Sequence, residues 1–205
     1  SNSIITGTNI TLSCWFKSSD TDDSKLMQLK RAATSSNLSI DINQQGNAGH
    51  VGAVVRHSSG GSYLTTNGVD GSVDDGAWHH IALTTTSSAQ VLYLDGVQVD
   101  TGTVALVDEF SSDPFTIGAL NGSDYVFGGS IVGVAVYSET KDANFIKAQY
   151  DKGLFADWSA DTNLSGYWRM GNGTGDVYPT IVDQSSNSNN GTITNGASDD
   201  IVENM

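Results

Sequence analysis

The chain has 205 residues with 9 Lys and Arg against 23 Asp and Glu, a formal net charge of −14, and it carries 23 Gly but only 2 Pro. A balance that acidic repels phosphate backbones and argues against nucleic acid as a partner. The single cysteine, Cys14, excludes an internal disulfide, and no window reaches the ~18 apolar residues of a membrane helix, so no membrane insertion is expected. The start at Ser1 without a Met fits a processed or trimmed N-terminus.

Residues 9–17 alternate cleanly, with Ile10, Leu12, Cys14 and Phe16 on one face and Thr11, Ser13, Trp15 and Lys17 on the other. That pattern predicts a half-buried strand in which Cys14 is a small buried hydrophobe. Further short strands are predicted at 25–31, 38–43 and 50–57, separated by Ser, Asn and Gly turns. In 74-DDGAWHHIALTTTSSAQVLYLDGVQVDTG-102, a strand over 77–85 sends His79, Ile81 and Leu83 one way and Trp78, His80 and Ala82 the other. Neighbouring histidines on a strand point apart and cannot share one ion. His79 therefore reads as a core histidine and His80 as the freer of the two. Asp95-Gly96 signals a type I′ hairpin, with Leu94 facing Val97 and Leu92 facing Val99 on a buried side and Tyr93 paired with Gln98 on the other. Strands at 115–120 and 127–137 follow. A helix is predicted over 142–152, with Asp142 as N-cap, a narrow apolar stripe of Ala143, Ile146 and Tyr150, and Gly153 as its stop. Beyond it come a strand at 166–170, a Gly/Asn/Ser/Asp loop, a short strand at 191–194 and a polar tail. Many short strands without alternating helices make an all-β sandwich with one surface helix.

The run 75-DGAWHHIAL-83, a variable turn, and 91-VLYLDGVQV-99 together resemble the laminin-G-like, concanavalin A-type jelly roll. The downstream stretch 115-FTIGALNGSDYVFGGSIVGVAVYSETKDANFIKAQYDKG-153 is similar to the next segment of that family, in the same order. One departure is Phe145, where the family often carries an acid at the helix start. The resemblance covers about residues 10–153. It implies a two-sheet antiparallel jelly-roll sandwich with one sheet curved, and a ligand site on the concave face or the loop rim where members have one. The segment 164-LSGYWRMGNGTGDVYPTIVDQSSNSNNGTITNG-196 is similar to the part that normally opens such a domain, yet here it comes last. Some forty residues cannot make a core of their own, so 1–205 is expected to be a single domain whose 154–205 segment adds a closing strand and a polar tail. The same segment also resembles structural proteins of marine bacteriophages that carry laminin-G-like modules.

Catalysis is not expected. Glu occurs only at 109, 139 and 203, so the paired carboxylates of a retaining glycosidase have no place on one strand. Nor is there a nucleophile elbow or a Cys/His pairing. Calcium is the cation best suited to Asp-rich loops, and Asp176, Asp183, Ser185 and Asn187 in the 176–191 loop are the first candidates, with 20-DTDD-23 and the loop around Asp124 as alternatives. A glycan needs an aromatic platform beside polar groups; Tyr63, Tyr93, Tyr125 and Trp158 could supply the first, and His57, Asp70, Gln98 and Asp124 the second. Two functions follow. The acidic, Asn/Ser-rich composition, the lack of disulfides and the terminal motif point to a non-enzymatic virion structural, decoration or appendage protein, working at a virion surface through contact with other virion or surface proteins, with itself, or with glycan. The fold points to a calcium-assisted carbohydrate-binding adhesion module, secreted or on a cell surface.

Overall fold

The computed structural model describes residue 4 and residues 7–30, 37–43, 48–57, 60–66, 72–106, 115–120 and 124–202. The first strand, β1, runs Ile10–Ser18, and its alternating apolar residues Ile10, Leu12, Cys14 and Phe16 are all buried in the main core. Burial pushes the Cys14 thiol well above its usual range, so it packs as a hydrophobe. After β1 come β2 (Ser24–Lys30), β3 (Asn37–Ile42), β4 (Val51–His57), β5 (Gly60–Thr65), β6 (His79–Thr85), β7 (Gln90–Leu94) and β8 (Val97–Gly102). Then follow β9 (Phe115–Ile117), β10 (Gly129–Tyr137), the helix α1 (Ala143–Lys152), β11 (Leu164–Trp168), β12 (Thr180–Ile181) and β13 (Gly191–Thr192). All pairings are antiparallel.

Six strands, in the order β11-β10-β1-β6-β7-β8, form one sheet; five, in the order β5-β4-β3-β2-β9, form the other. Leu12, Phe16, Ile81, Leu83 and Leu92 from the first meet Met27, Leu29, Leu38, Ile40 and Val55 from the second in one buried cluster. This is the two-sheet jelly-roll sandwich expected of the sequence. On the outer side of the six-stranded sheet, the Asp142 carboxylate caps α1 by accepting from Phe145 N at 2.8 Å, and Gly153, at φ 83°, ends it. Ile146 packs on Ala82 and Tyr93, while Phe145 and Trp158 pack on Ala135, Tyr137, Leu164 and Tyr167. β11 pairs with β10 at the edge of that sheet.

Several expectations change. β5 and the short β12 are added strands. The predicted hairpin turn is present, with Asp95 at φ 50° and Gly96 at φ 77°, but a bulge between Leu92 and Tyr93 sets Leu92 opposite Asp100 rather than Val99. Val97, still opposite Leu94, is 60% exposed, while Val99 leans on the core.

The two histidines also exchange depths. His79 is on the core side of β6 but heads the strand, at the sheet rim, where its Nδ1 lies 2.8 Å from Asp95 Oδ2 and its Nε2 3.3 Å from Asp75 Oδ1. His80, on the other side, is buried against Trp15. The hydrogen bond to Asp95 outweighs burial and raises the His79 pKa above its usual value, whereas burial pushes His80 down to about 4. Unfolded histidine titrates near ~6.5. The His79 contribution is therefore complete below ~6.5 and lost as pH climbs through its folded value; that of His80 runs the other way, lost as pH falls from ~6.5 towards its folded value. Asp95→Asn keeps a turn-compatible residue but removes the charge. Urea midpoints from about pH 6.5 to 8.5 should decline less in this variant than in the wild type; parallel curves would dismiss the ion pair as a stabiliser.

Candidate functional site

The sandwich has two outer faces, and they differ in chemistry. That of the six-stranded sheet is closed by α1 and the following segment on apolar and aromatic side chains. That of the five-stranded sheet is polar, because β3 reads N-L-S-I-D-I: Leu38, Ile40 and Ile42 enter the core, so Asn37, Ser39 and Asp41 point away from it.

Cross-strand pairing arranges this face in rows. Thr116, Gln28, Ser39, Val54 and Tyr63 form the central row across β9, β2, β3, β4 and β5. On one side lies the row Lys25, Asp41, Gly52, Thr65; on the other lie Asn37, Arg56 and Gly61. The centre is closed to solvent, with Ser39, Asp41, Gln28, Lys25 and Val54 all buried. Lys25 Nζ meets Asp41 Oδ2 at 2.8 Å. Burial raises the Asp41 pKa to about 6, against the pull of Lys25 and the Ser39 hydroxyl. Gln28 Nε2 donates to Asn37 Oδ1 at 3.0 Å, while Gln28 Oε1 and Asp23 Oδ1 are buried with no hydrogen-bond donor among the described residues. Tyr63 lies along the sheet over Gly52, where an added Cβ would meet its hydroxyl at 2.8 Å; glycine there leaves room for the ring.

The face opens at its two ends. At one, Arg56 is exposed and Asn37 half-buried, with the half-buried Tyr63 in the next row and its ring directed towards Gly52. At the other, Tyr125 is 51% exposed, Asp124 is exposed beside it, and Lys25 Nζ sits 5.4 Å from the Tyr125 ring centre. Tyr125 holds a left-handed φ of 49°, and its carbonyl accepts from Lys25 N at 2.9 Å, which ties this loop to β2.

The glycan candidates therefore do not converge on one spot. Tyr63, Asp124 and Tyr125 belong to the five-stranded sheet and its rim. Tyr93 is only 5% exposed beneath α1, so its ring is no platform; Gln98, its pairing partner, is exposed on the opposite sheet. Trp158 packs on Phe145 and carries Lys152 Nζ 4.2 Å from its ring centre. Asp70 and the His57 side chain lie outside the described residues; the His57 backbone ends β4 opposite Gly60.

The calcium candidates gather in one loop but spend their oxygens on it. Asp183 Oδ1 accepts from Tyr167 N and Ser185 N, and its Oδ2 from Ser185 Oγ and Asn189 N. Asp176 accepts from Gly171 N and Val182 N, Ser185 Oγ accepts from Asn187 N, and Asn187 Nδ2 donates to the Leu164 carbonyl. With all the lone-pair directions of Asp183 facing donors, that carboxylate clamps the loop and has none left for an ion. Among the described residues no group of three or more His, Cys, Asp or Glu is placed to hold a metal.

The residues that composition missed are Asn37, Ser39, Asp41, Gln28 and Arg56. For Asn37, Ser39 and Asp41 the signal was available as the alternation of polar and apolar positions along 37–42.

No curated protein matches the chain in sequence. Among solved structures, it is similar in fold to a candidate carbohydrate binding protein from Bacteroides ovatus, at 19% identity and a TM-score of 0.68, over 92% of this chain and 52% of that one. It thus spans about half the length of that protein. It is also similar to CBM40 of the Ruminococcus gnavus IT-sialidase, bound to α2,3-sialyllactose (17% identity, TM-score 0.58, 72% of this chain and 84% of that one). A third is domain 4 of an extracellular arabinanase from Geobacillus stearothermophilus in complex with arabinotriose (18% identity, TM-score 0.53, 69% and 66%). Agreement of this kind is agreement of fold. With the Laminin_G_3 family model matching residues 1–147, the chain belongs to that family, within the concanavalin A-like lectin/glucanases superfamily.

Proposed function

We propose that this lectin-like module binds carbohydrate without turning it over, holding a glycan on the outer face of the five-stranded sheet. The observation that carries this reading is the contrast between the two outer faces. One is sealed by a helix on apolar side chains; the other carries polar groups, buried at its centre and open at its two ends, with the half-buried Tyr63 ring lying over Gly52 and the exposed Tyr125 at the rim. Sugar rings present apolar faces edged by hydroxyls, and Tyr beside amides and charged groups matches both. The sugars bound by two of the neighbouring folds agree in kind. A place outside the cell, secreted or at a surface, suits such a module, and no helix among the described residues is long and apolar enough to cross a membrane. The virion role rests on the acidic, Asn/Ser-rich composition, the lack of disulfides and the motif in 164–196, and stands second.

A glycan array tests the reading, with Tyr63→Ala and Tyr125→Asn alongside the wild type. Asn is chosen at 125 because it tolerates the left-handed backbone there. Each ring should contribute about 0.5–1.5 kcal/mol, a several-fold loss of affinity on removal. Uniformly null binding by the wild type would sink the proposal. The same array with chelator reads out calcium, and the 176–191 loop predicts no change there.

A further inference from the structure

From the state of its basic side chains, we infer that the module takes an acidic sugar, one bearing a carboxylate or sulfate, at the Arg56 end of the polar face. This inference rests on the carbohydrate reading above and names the class of ligand. With 9 Lys and Arg among 23 Asp and Glu, a basic side chain readily meets an acid. Lys25, Lys141, Lys147 and Arg169 each pair with a carboxylate, at Asp41, Glu139, Asp151 and Asp157. Lys17 and Lys152 lie over the rings of Trp78 and Trp158. Arg56, exposed on β4, is the described basic side chain that has neither.

Its surroundings leave it facing out. Gly61, opposite on β5, offers no side chain to screen the guanidinium, and a Cβ there would press within 3.3 Å of Arg56 Cγ. Asn37, opposite on β3, receives Gln28 Nε2 on its Oδ1, which turns the Asn37 NH2 away from that bond. Guanidinium and amide thus put donors side by side, with Tyr63 one row further along. Donors without an acceptor among the described residues suit an oxyanion, and the planar guanidinium fork engages a carboxylate or sulfate through two parallel hydrogen bonds.

Titration calorimetry on the full chain, with sialyllactose, a galacturonate oligomer and a sulfated galactoside, each beside its neutral counterpart, tests this and separates carboxylate from sulfate. At least one acidic probe should bind the wild type more tightly than its neutral partner. Arg56→Gln should weaken that probe about 10- to 100-fold and leave neutral sugars unchanged, and Arg56→Lys should restore only part of the loss. Because Arg56 is exposed, circular dichroism of the variants should match the wild type. If neutral glycans bind and Arg56→Gln changes nothing, the acidic-sugar inference falls and the carbohydrate reading stands. If no glycan of either kind binds, both fall.

Discussion

Replacing Lys25 by Met should cost about 3–5 kcal/mol near pH 8 and far less near pH 5. The Lys25 and Asp41 side chains are 6% and 0% exposed and meet at 2.8 Å, so removing the ammonium leaves a carboxylate buried without its cation. Asp41 already has a pKa of about 6 with Lys25 in place, against an unfolded value of 3.8. The sign follows from that order. Between those values the folded chain holds more protons than the unfolded one, so this group's contribution falls as pH rises. Without Lys25 the folded pKa climbs further, the window extends to higher pH, and the wild type and variant diverge most on the alkaline side. Below it Asp41 is a neutral acid in both proteins, and the difference shrinks to packing and hydrogen bonding. Lys25→Met combined with Asp41→Leu should recover most of the loss, since exchanging a whole buried pair for apolar groups is often neutral or better. Urea denaturation at the two pH values decides. An equal deficit at both would mean that Lys25 serves the fold through its stem and not its charge.

What could be read before folding was whatever depends on neighbours along the chain. The alternation of β1, the Asp95-Gly96 turn and the Asp142 and Gly153 caps are local, and each is present as expected. What could not be read depends on neighbours across it. In β5, G-G-S-Y-L-T shows no apolar alternation, and Leu64 is its one residue in the main core; it is a strand because β4 pairs with it. The face rule placed His79 on the core side, correctly, but alternation gives a side and not a depth, and the rim position came from the sheet. Tyr93 looked like a platform because nothing in its own strand announces a helix packed over it. The 176–191 loop is a related case: closely spaced Asp, Ser and Asn serve equally to ligate an ion and to tie down a loop's own N–H groups, and the donors facing Asp183 are visible only in the fold.

Trp168→Ala should destabilise the whole sandwich by about 3–5 kcal/mol and shift a single cooperative transition. The family model ends at residue 147, which by itself would leave Trp168 outside the sandwich. Its contacts argue otherwise. Trp168 is 3% exposed within the main core and pairs with Val134 of β10. Its ring stacks on Phe115 of the opposite sheet, at 5.8 Å and 21° between planes, and so joins the two layers. The indole N–H donates to the Asn189 carbonyl at 2.9 Å, which fastens the loop carrying Asp183 over the same edge. Truncating the ring opens a cavity where two sheets and a loop meet, a site too constrained to collapse. Trp168→Phe keeps much of the volume and loses the donor, and should cost about 1–3 kcal/mol through the unpaired carbonyl. If 154–205 were an appendage, the alanine variant would melt that segment early and leave the sandwich midpoint where it was. Two transitions in circular dichroism would therefore divide the chain, whereas one shifted transition would make β11 a working strand of the fold that carries the site.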